Sequence, residues 1–456
     1  MNLVRFLSVF FSTLLLVVVL TACENATHND TTNIKPAAEV PAAGTFITEA
    51  ATAGTEFIAE ATTAGTASTT AAATTSQETI HYCEPENNMK VRRGGLNHDY
   101  VQMVCRLTGE DSLNHTFTRY GFGRNNREDY DILIGTDLGI PVYDAANDKM
   151  LFFFGDTVDV GLWASNAVAF STDFDASDGI LFDSMRTERC SHKVAPLIQG
   201  KHDPDIADGV DGKTRDDRRE VTKIPTGGIA IGHTIYMHFM SIRTWNPGWQ
   251  VNYNSVIKST NGGRTWRLVP CLRWNQDDAY NFGQIFPVED KENPEMVYIY
   301  GIPGGRSGGV KLGRVLKANY EKMDQYEYYN GLDDKGEPIW VKGRAGLQAI
   351  KDNDDAYIFQ NDRFGTGEVS VMYNPYLGKW MIGYLKNGYA LVYRTADNPW
   401  GNWSSEITLA TNDDYYKIYG VFMHEKLMKD NGKTVYFMMS QFDLLYDAYV
   451  MEVVFR

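Results

Sequence analysis

"IKSTNGGRTWRLV", residues 257–269, reads as a strand, a tight turn and a second strand. Apolar residues lead into Ser259-Thr260, Asn261-Gly262-Gly263 supplies turn chemistry, and Trp266 opens the exit strand. The same order of events recurs in "AFSTDFDASDGILF" (residues 169–182) and "VYRTADNPWGNWSSEITL" (392–409). Each time a strand ends in Ser/Arg-Thr, an Asx/Gly turn follows, and an apolar or aromatic strand leaves. Short strands with a repeated turn at blade-like intervals predict sheets arranged radially.

Working outward, the chain beyond about residue 96 has no long amphipathic helical stretch. Short β-rich runs fill it, separated by Gly, Asn and Asp turns. The middle echo is close to the Asp-box turn common in propeller blades. The expected fold is all-β, a five-bladed β-propeller with blades near 128–200, 215–275, 280–345, 350–410 and 414–456. The last blade has too few strands of its own, so a strand near 100–107 is expected to close the ring.

The N-terminus predicts export. Arg5, an apolar run from Phe6 to Leu20 and the small residues after it form a signal segment, not a structural helix. It ends in Leu20-Thr21-Ala22-Cys23, which resembles a bacterial lipobox, so residues 1–23 read as a lipoprotein signal lipidated at Cys23. An ordinary secretory signal or an uncleaved anchor is the competing reading. Residues 24–80 are rich in Ala, Thr, Glu and Gly, with "FITEAATAGT" repeated as "FIAEATTAGT". Such a composition cannot bury enough apolar surface to offset its ordering entropy, and a disordered tether is expected. Residues 81–456 then form the propeller domain, held outside the cytoplasm in the cell envelope by its lipid anchor.

The 456-residue chain carries a formal net charge of −15, which argues against nucleic acid as a partner. Cys83, Cys105, Cys190 and Cys271 remain after Cys23, and two disulfides or free thiols are both open. Their spacing does not suit zinc, and no cofactor or metal is implied. A monomer is expected.

Chemistry is concentrated in "DILIGTDLGIPVYDAANDKMLFFFGDT", residues 131–157. It reads as a hairpin turning at "DAANDK", with Asp144 opposite Lys149. A symmetric register sets Asp137 opposite Asp156, where like charges in direct opposition destabilise a sheet. An antiparallel hairpin brings both to one end of a blade, so both are expected at one mouth of the central funnel.

"GTDLGIPVYD…LFFFGDT", "EVTKIPTGG…IYMHFMSIRTWNPGWQVNYNSVIKSTNGGRTW", "VSVMYNPYLGKWMIGYL" and "VYFMMSQF" together resemble the domain of unknown function 4185 family over most of 115–456. Members of that family have been assigned to glycoside hydrolase family 183. The resemblance implies a five-bladed propeller and an endo-acting D-arabinanase that cuts α-D-arabinofuranosyl linkages in arabinogalactan and lipoarabinomannan. It also implies an inverting mechanism with two aspartates, on Asp137 of "GTD" and Asp156 of "GDT". An inverting hydrolase needs one carboxylic acid to protonate the leaving oxygen and one carboxylate to activate water.

Further candidates are less sharply marked. Glu220 is a rival general acid or substrate contact, with a solvated surface charge as the bland alternative. Trp245, Trp249, Tyr253 and Asn254 are candidates for sugar stacking and hydroxyl binding, with core packing as the alternative for each. Arg243 and Arg306 are open between substrate contact and ion pairing, while His238 is expected in the core. "GIPGGRSGG" (301–309) lacks a P-loop pattern, and "KDNDDAY" reads as a solvated loop in preference to a calcium site. Three functions compete: an arabinan hydrolase, another propeller glycosidase such as a sialidase or L-arabinan-type enzyme, and a non-catalytic glycan-binding lipoprotein. The Arg-Ile-Pro motif usual in sialidases is absent.

Overall fold

The computed structural model describes residues 94–95, 97–109, 114, 133–159, 162–188, 194–200, 220–245, 249–275, 278, 281–361, 365–443 and 445–456. The expected signal, Cys23 and the tether lie outside the described residues.

Five antiparallel sheets form the blades. Blade I is built from Leu138–Asp144, Lys149–Phe154, Ala167–Ser171 and Ser184–Met185. Blade II has Thr222–Ile231, Thr234–Thr244, Gln250–Ser259 and Arg267–Asn275. Blade III begins with Gln284–Glu289, Met296–Ile302 and Val310–Leu316 and extends through Glu327–Leu332 and Pro338–Lys342. A short helix, Gly343–Ile350, follows that extension. Blade IV has Thr366–Asn374, Lys379–Lys386, Ala390–Ala396 and Ile407–Thr411. The first strands of successive blades touch in sequence, and the first strand of blade V, Ile418–Lys429, returns to that of blade I. The ring is closed, which removes exposed sheet edges at its centre.

Closure uses both ends of the domain. His98–Arg106 pairs with Leu445–Phe455 as the outermost strand of blade V, as the strand shortage of that blade required. The three echoed segments each run from the third to the fourth strand of a blade. The physical reason for the echo is clearest in blade II. Ser259 Oγ accepts from Gly263 N (2.9 Å), Asn261 Oδ1 accepts from Thr265 N (3.0 Å), and Trp266 is thereby directed onto Phe153 of blade I, 5.6 Å away. The turn sets a wedge between neighbouring sheets.

Two expectations need correction. Asp144 does pair with Lys149, but the register slips between Leu138 and Ile140. The bulge at Leu138-Gly139, with φ of 72° and 75°, sets Asp137 beside Gly155, whose N–H donates to the Asp137 carbonyl (3.1 Å). Asp137 is therefore not opposite Asp156. A bulge of this kind re-aims a side chain at a sheet edge. Cys271 carries a free, exposed thiol, which excludes two bridges among all four cysteines. Cys83 and Cys190 lie outside the described residues.

Candidate active site

The entry ends of the five inner strands surround a cavity of about 520 Å³. Blade I supplies Asp137 and Asp156, blade II Ile224 to Thr226, blade III Gln284, blade IV Glu368 and blade V Tyr419. Trp163, Trp245, Trp249, Phe442 and Tyr446 add aromatic walls.

Asp137 is held in a strained segment. Leu138, next to it, has a backbone conformation rarely adopted outside glycine, and its N–H is anchored by Ser440 Oγ (2.7 Å). Thr136 N donates to the Tyr446 carbonyl at 3.0 Å, so blade V fixes this segment from the other side. Asp137 Oδ2 accepts from the Tyr419 hydroxyl (2.6 Å), while Oδ1 is buried without a partner. A Cβ on Gly155 would sit 2.4 Å from that oxygen, so only glycine leaves the carboxyl its place. Burial pushes the Asp137 carboxyl up to about 7, the Tyr419 hydrogen bond opposes this, and the negative charges of Asp156 and Glu368 add to it.

Asp156 is also buried, yet its surroundings stabilise charge better. Its Oδ1 accepts from the Trp163 indole N–H (3.1 Å) and from the Thr222 hydroxyl. Burial raises this carboxyl to about 6, and the two donors hold it below Asp137. Two carboxyls from one hairpin thus line one cavity with different proton affinities. Between pH 6 and 7 the arrangement favours one protonated and one ionised group, which suits acid–base chemistry.

The other sequence candidates divide. Trp245 lines the cavity and meets Trp249 edge-on, 5.0 Å between ring centroids. Glu220 does not line it and is not a solvated charge: it is fully buried, bonded to Lys223 Nζ (2.5 Å) and Ser241 Oγ (2.5 Å). A carboxylate so paired is a structural tie between strands of blade II. Tyr253 is a core residue capped by the Arg273 guanidinium, 3.6 Å from its ring centre, and its hydroxyl reaches toward Glu220 (3.4 Å). Asn254 is buried among His238, Thr226 and the Gly283 carbonyl. Neither faces the cavity. His238 is in the core as expected, its Nε2 2.8 Å from the Tyr320 hydroxyl, and burial pushes it down to about 4. Arg306 lines the cavity but pairs with Glu368.

Sequence reading missed Glu368, Gln284, Tyr419 and Trp163. A signal existed for Gln284 and Glu368: each enters the first strand of its blade, where Asp137 enters blade I. Trp163 is the middle residue of a three-residue strand, Leu162–Ala164, outside the five blades, and carried no comparable mark.

Structural similarity extends to distant propellers. A Bacteroides ovatus protein, provisionally described as a hydrolase, is 13% identical and matches with a TM-score of 0.50, over 78% of this chain and 90% of that one. The GH43_1 enzyme of Xanthomonas citri, complexed with xylose, is 10% identical with a TM-score of 0.37, over 69% and 86%. At these identities the first likeness concerns the fold alone. No curated protein matches the sequence. The model of the domain of unknown function DUF4185 matches residues 123–452, most of the chain, and the protein belongs to that family.

Proposed function

We propose that the protein is a glycoside hydrolase, an inverting endo-D-arabinanase that cuts α-D-arabinofuranosyl linkages in arabinogalactan or lipoarabinomannan. The observation that carries the hydrolase reading is the pair of buried carboxyls on one hairpin, raised to about 7 and about 6, in one aromatic-walled cavity. The substrate class rests on the family resemblance seen in the sequence.

In this reading Asp137, with the higher proton affinity, is the general acid, and Asp156 is the general base. Asp137 gives its proton to the glycosidic oxygen as the bond to the anomeric carbon breaks. Asp156 takes a proton from water, whose oxygen attacks the opposite face of that carbon. The product is a hemiacetal of inverted configuration plus the released alcohol, and proton exchange with solvent restores both carboxyls. Inverting pairs leave about 6.5–9.5 Å between carboxyl groups for the water, against about 5 Å in retaining pairs. The bulge at Leu138-Gly139 takes Asp137 out of direct opposition to Asp156. Trp163 and Trp245 offer aromatic surface to sugar rings.

We further propose, from the Leu20-Thr21-Ala22-Cys23 motif, secretion with lipidation at Cys23 and attachment in the cell envelope through a tether. Product analysis on purified arabinogalactan, with the anomer followed by NMR before mutarotation, tests the proposal. Arabinan oligosaccharides of initially inverted configuration are expected. Retained configuration removes the mechanism, and intact polymer removes the activity.

A further inference from the structure

Among the described residues, three that line the cavity each hold a buried polar atom without a protein partner: Asp137 Oδ1, Gln284 Nε2 and Glu368 Oε2. The first belongs to the acid–base pair. The other two neither give nor take the transferred protons, although the Glu368 charge helps to raise the Asp137 carboxyl. They stand on the inner strands of neighbouring blades, III and IV, and their residues are 3% and 6% exposed.

The state of Glu368 has a specific cause. Arg306 addresses only Oε1, through Nε (2.8 Å) and a terminal nitrogen (2.6 Å), which leaves Oε2 unused. Arg306 is itself fixed, because its guanidinium lies 4.8 Å from the ring centres of both Trp249 and Tyr419. Its backbone φ of 56° is a conformation that non-glycine residues seldom adopt outside constrained sites. The Gly-rich "GIPGGRSGG" loop is thus the device that carries this arginine into the cavity. Buried polar groups are nearly always hydrogen-bonded, so an unused acceptor and an unused donor in one cavity point to a ligand. A sugar hydroxyl answers both needs: its O–H donates to a carboxylate, and its oxygen accepts from an amide. A cation suits the pair poorly, since Arg306 already neutralises the carboxylate and Gln284 presents N–H. Among the described residues no group of three His, Cys, Asp or Glu side chains is placed to hold a metal.

We propose that Glu368 and Gln284 form a hydroxyl-reading subsite for an unsubstituted arabinofuranosyl ring beside the scissile bond, with Arg306 as the positioning residue. This rests on the hydrolase reading above and deepens it. A ring acylated or methylated at the bound hydroxyl leaves Oε2 unpaired and is rejected.

The test is a binding cycle by calorimetry in the Asp156→Asn protein. An α-D-arabinofuranosyl oligosaccharide is compared with its monodeoxy analogues, with and without Glu368→Gln. One deoxy analogue is expected to bind about 10–100-fold more weakly, the worth of a hydrogen bond to a charged group. Adding Glu368→Gln should shrink that penalty to within about threefold. Equal penalties on both backgrounds overturn the subsite, and so does absence of binding. Should Glu368→Gln fail to melt cooperatively, Gln284→Met supplies the same cycle. Cleavage by the wild type is read separately. Cleavage without coupling removes the subsite and leaves the hydrolase; coupling without cleavage removes the hydrolase and leaves the subsite.

Discussion

The funnel has two mouths, and the same five strands build both. At the entry ends of the inner strands lies the cavity of about 520 Å³; at their exit ends lies another of about 620 Å³. Size does not separate them, but the state of their polar groups does. At the second mouth Lys291 lies 3.6 Å from the Tyr373 ring centre and Lys426 4.5 Å from that of Tyr143, much as Arg306 lies over Trp249 and Tyr419 at the first. Glu289 is ion-paired to Lys317 (2.8 Å), and Asp290 accepts from the Glu292 N–H (3.1 Å). Among the described residues, none of the buried unpartnered polar atoms lines this mouth, whereas three line the first. A cavity that answers its own polar groups has little use for a ligand. One that leaves polar atoms buried without partners retains a cost that only function justifies.

The comparison breaks most sharply at the aspartates. Asp137→Asn and Asp156→Asn keep shape and remove proton transfer, and each is expected to lower turnover of arabinan by at least about 10²–10⁴-fold. Circular dichroism should show an intact fold, since neither carboxylate is a structural ion-pair partner. Near-normal turnover in either variant would erase the distinction between the mouths.

The fold was legible because its signals are local. The Ser/Thr–Asx–Gly turn recurs wherever a blade needs its third strand joined to its fourth, and residues 100–107 completed a blade visibly short of strands. The hairpin was legible too, and with it the pairing of Asp144 with Lys149. The register at its open end was not, because the bulge at Leu138-Gly139 depends on blade V: Ser440 holds the Leu138 N–H, and Met438 packs against Gly139. Glu220 and Glu368 illustrate the same limit. Both are acidic residues at the entrance of an inner strand, and only their three-dimensional partners decide the outcome. Lys223 and Ser241 absorb Glu220, whereas Arg306 arrives from a distant loop and leaves one buried Glu368 oxygen without a partner.

A second, smaller effect concerns pH. With Asp156 needed ionised and Asp137 needed protonated, kcat is expected to follow a bell, rising near pH 6 and falling near pH 7. Tyr419→Phe removes the donor that holds the Asp137 carboxyl down. The falling limb should therefore move upward by about one pH unit, the scale of a hydrogen bond to a charged group, while the rising limb stays. Movement of the rising limb instead would exchange the two roles. Stability supplies a check that does not require substrate. Both groups bind protons more tightly folded than unfolded, where the ordinary value is 3.8. Between about pH 4 and 7 the folded protein therefore holds more protons, and its stability falls as pH rises. The Asn variants should lose part of that slope, so their melting temperatures should exceed that of the wild type at pH 8 more than at pH 4.

The smallest effect is expected at the second mouth. Lys291→Ala and Lys426→Ala uncover the rings of Tyr373 and Tyr143 and remove two charges, yet neither lysine lines the first cavity. Exposed cation–aromatic contacts contribute about 0.5–1 kcal/mol, so a loss of a few degrees in melting temperature is the most either change should produce. Turnover should stay within about twofold of the wild type, and the bell should keep both limbs. His424 gives the reason to expect no pH signature from this side. Burial, with the charge of Lys426 added, pushes its imidazole down to about 4, so it is neutral across the range in which the first mouth works. Its Nδ1 accepts from the Lys426 backbone N–H (3.1 Å), a bond that alanine at 426 retains. A large fall in turnover on Lys426→Ala, with the fold intact, would mean that substrate threads the funnel from end to end. The two mouths would then be one site.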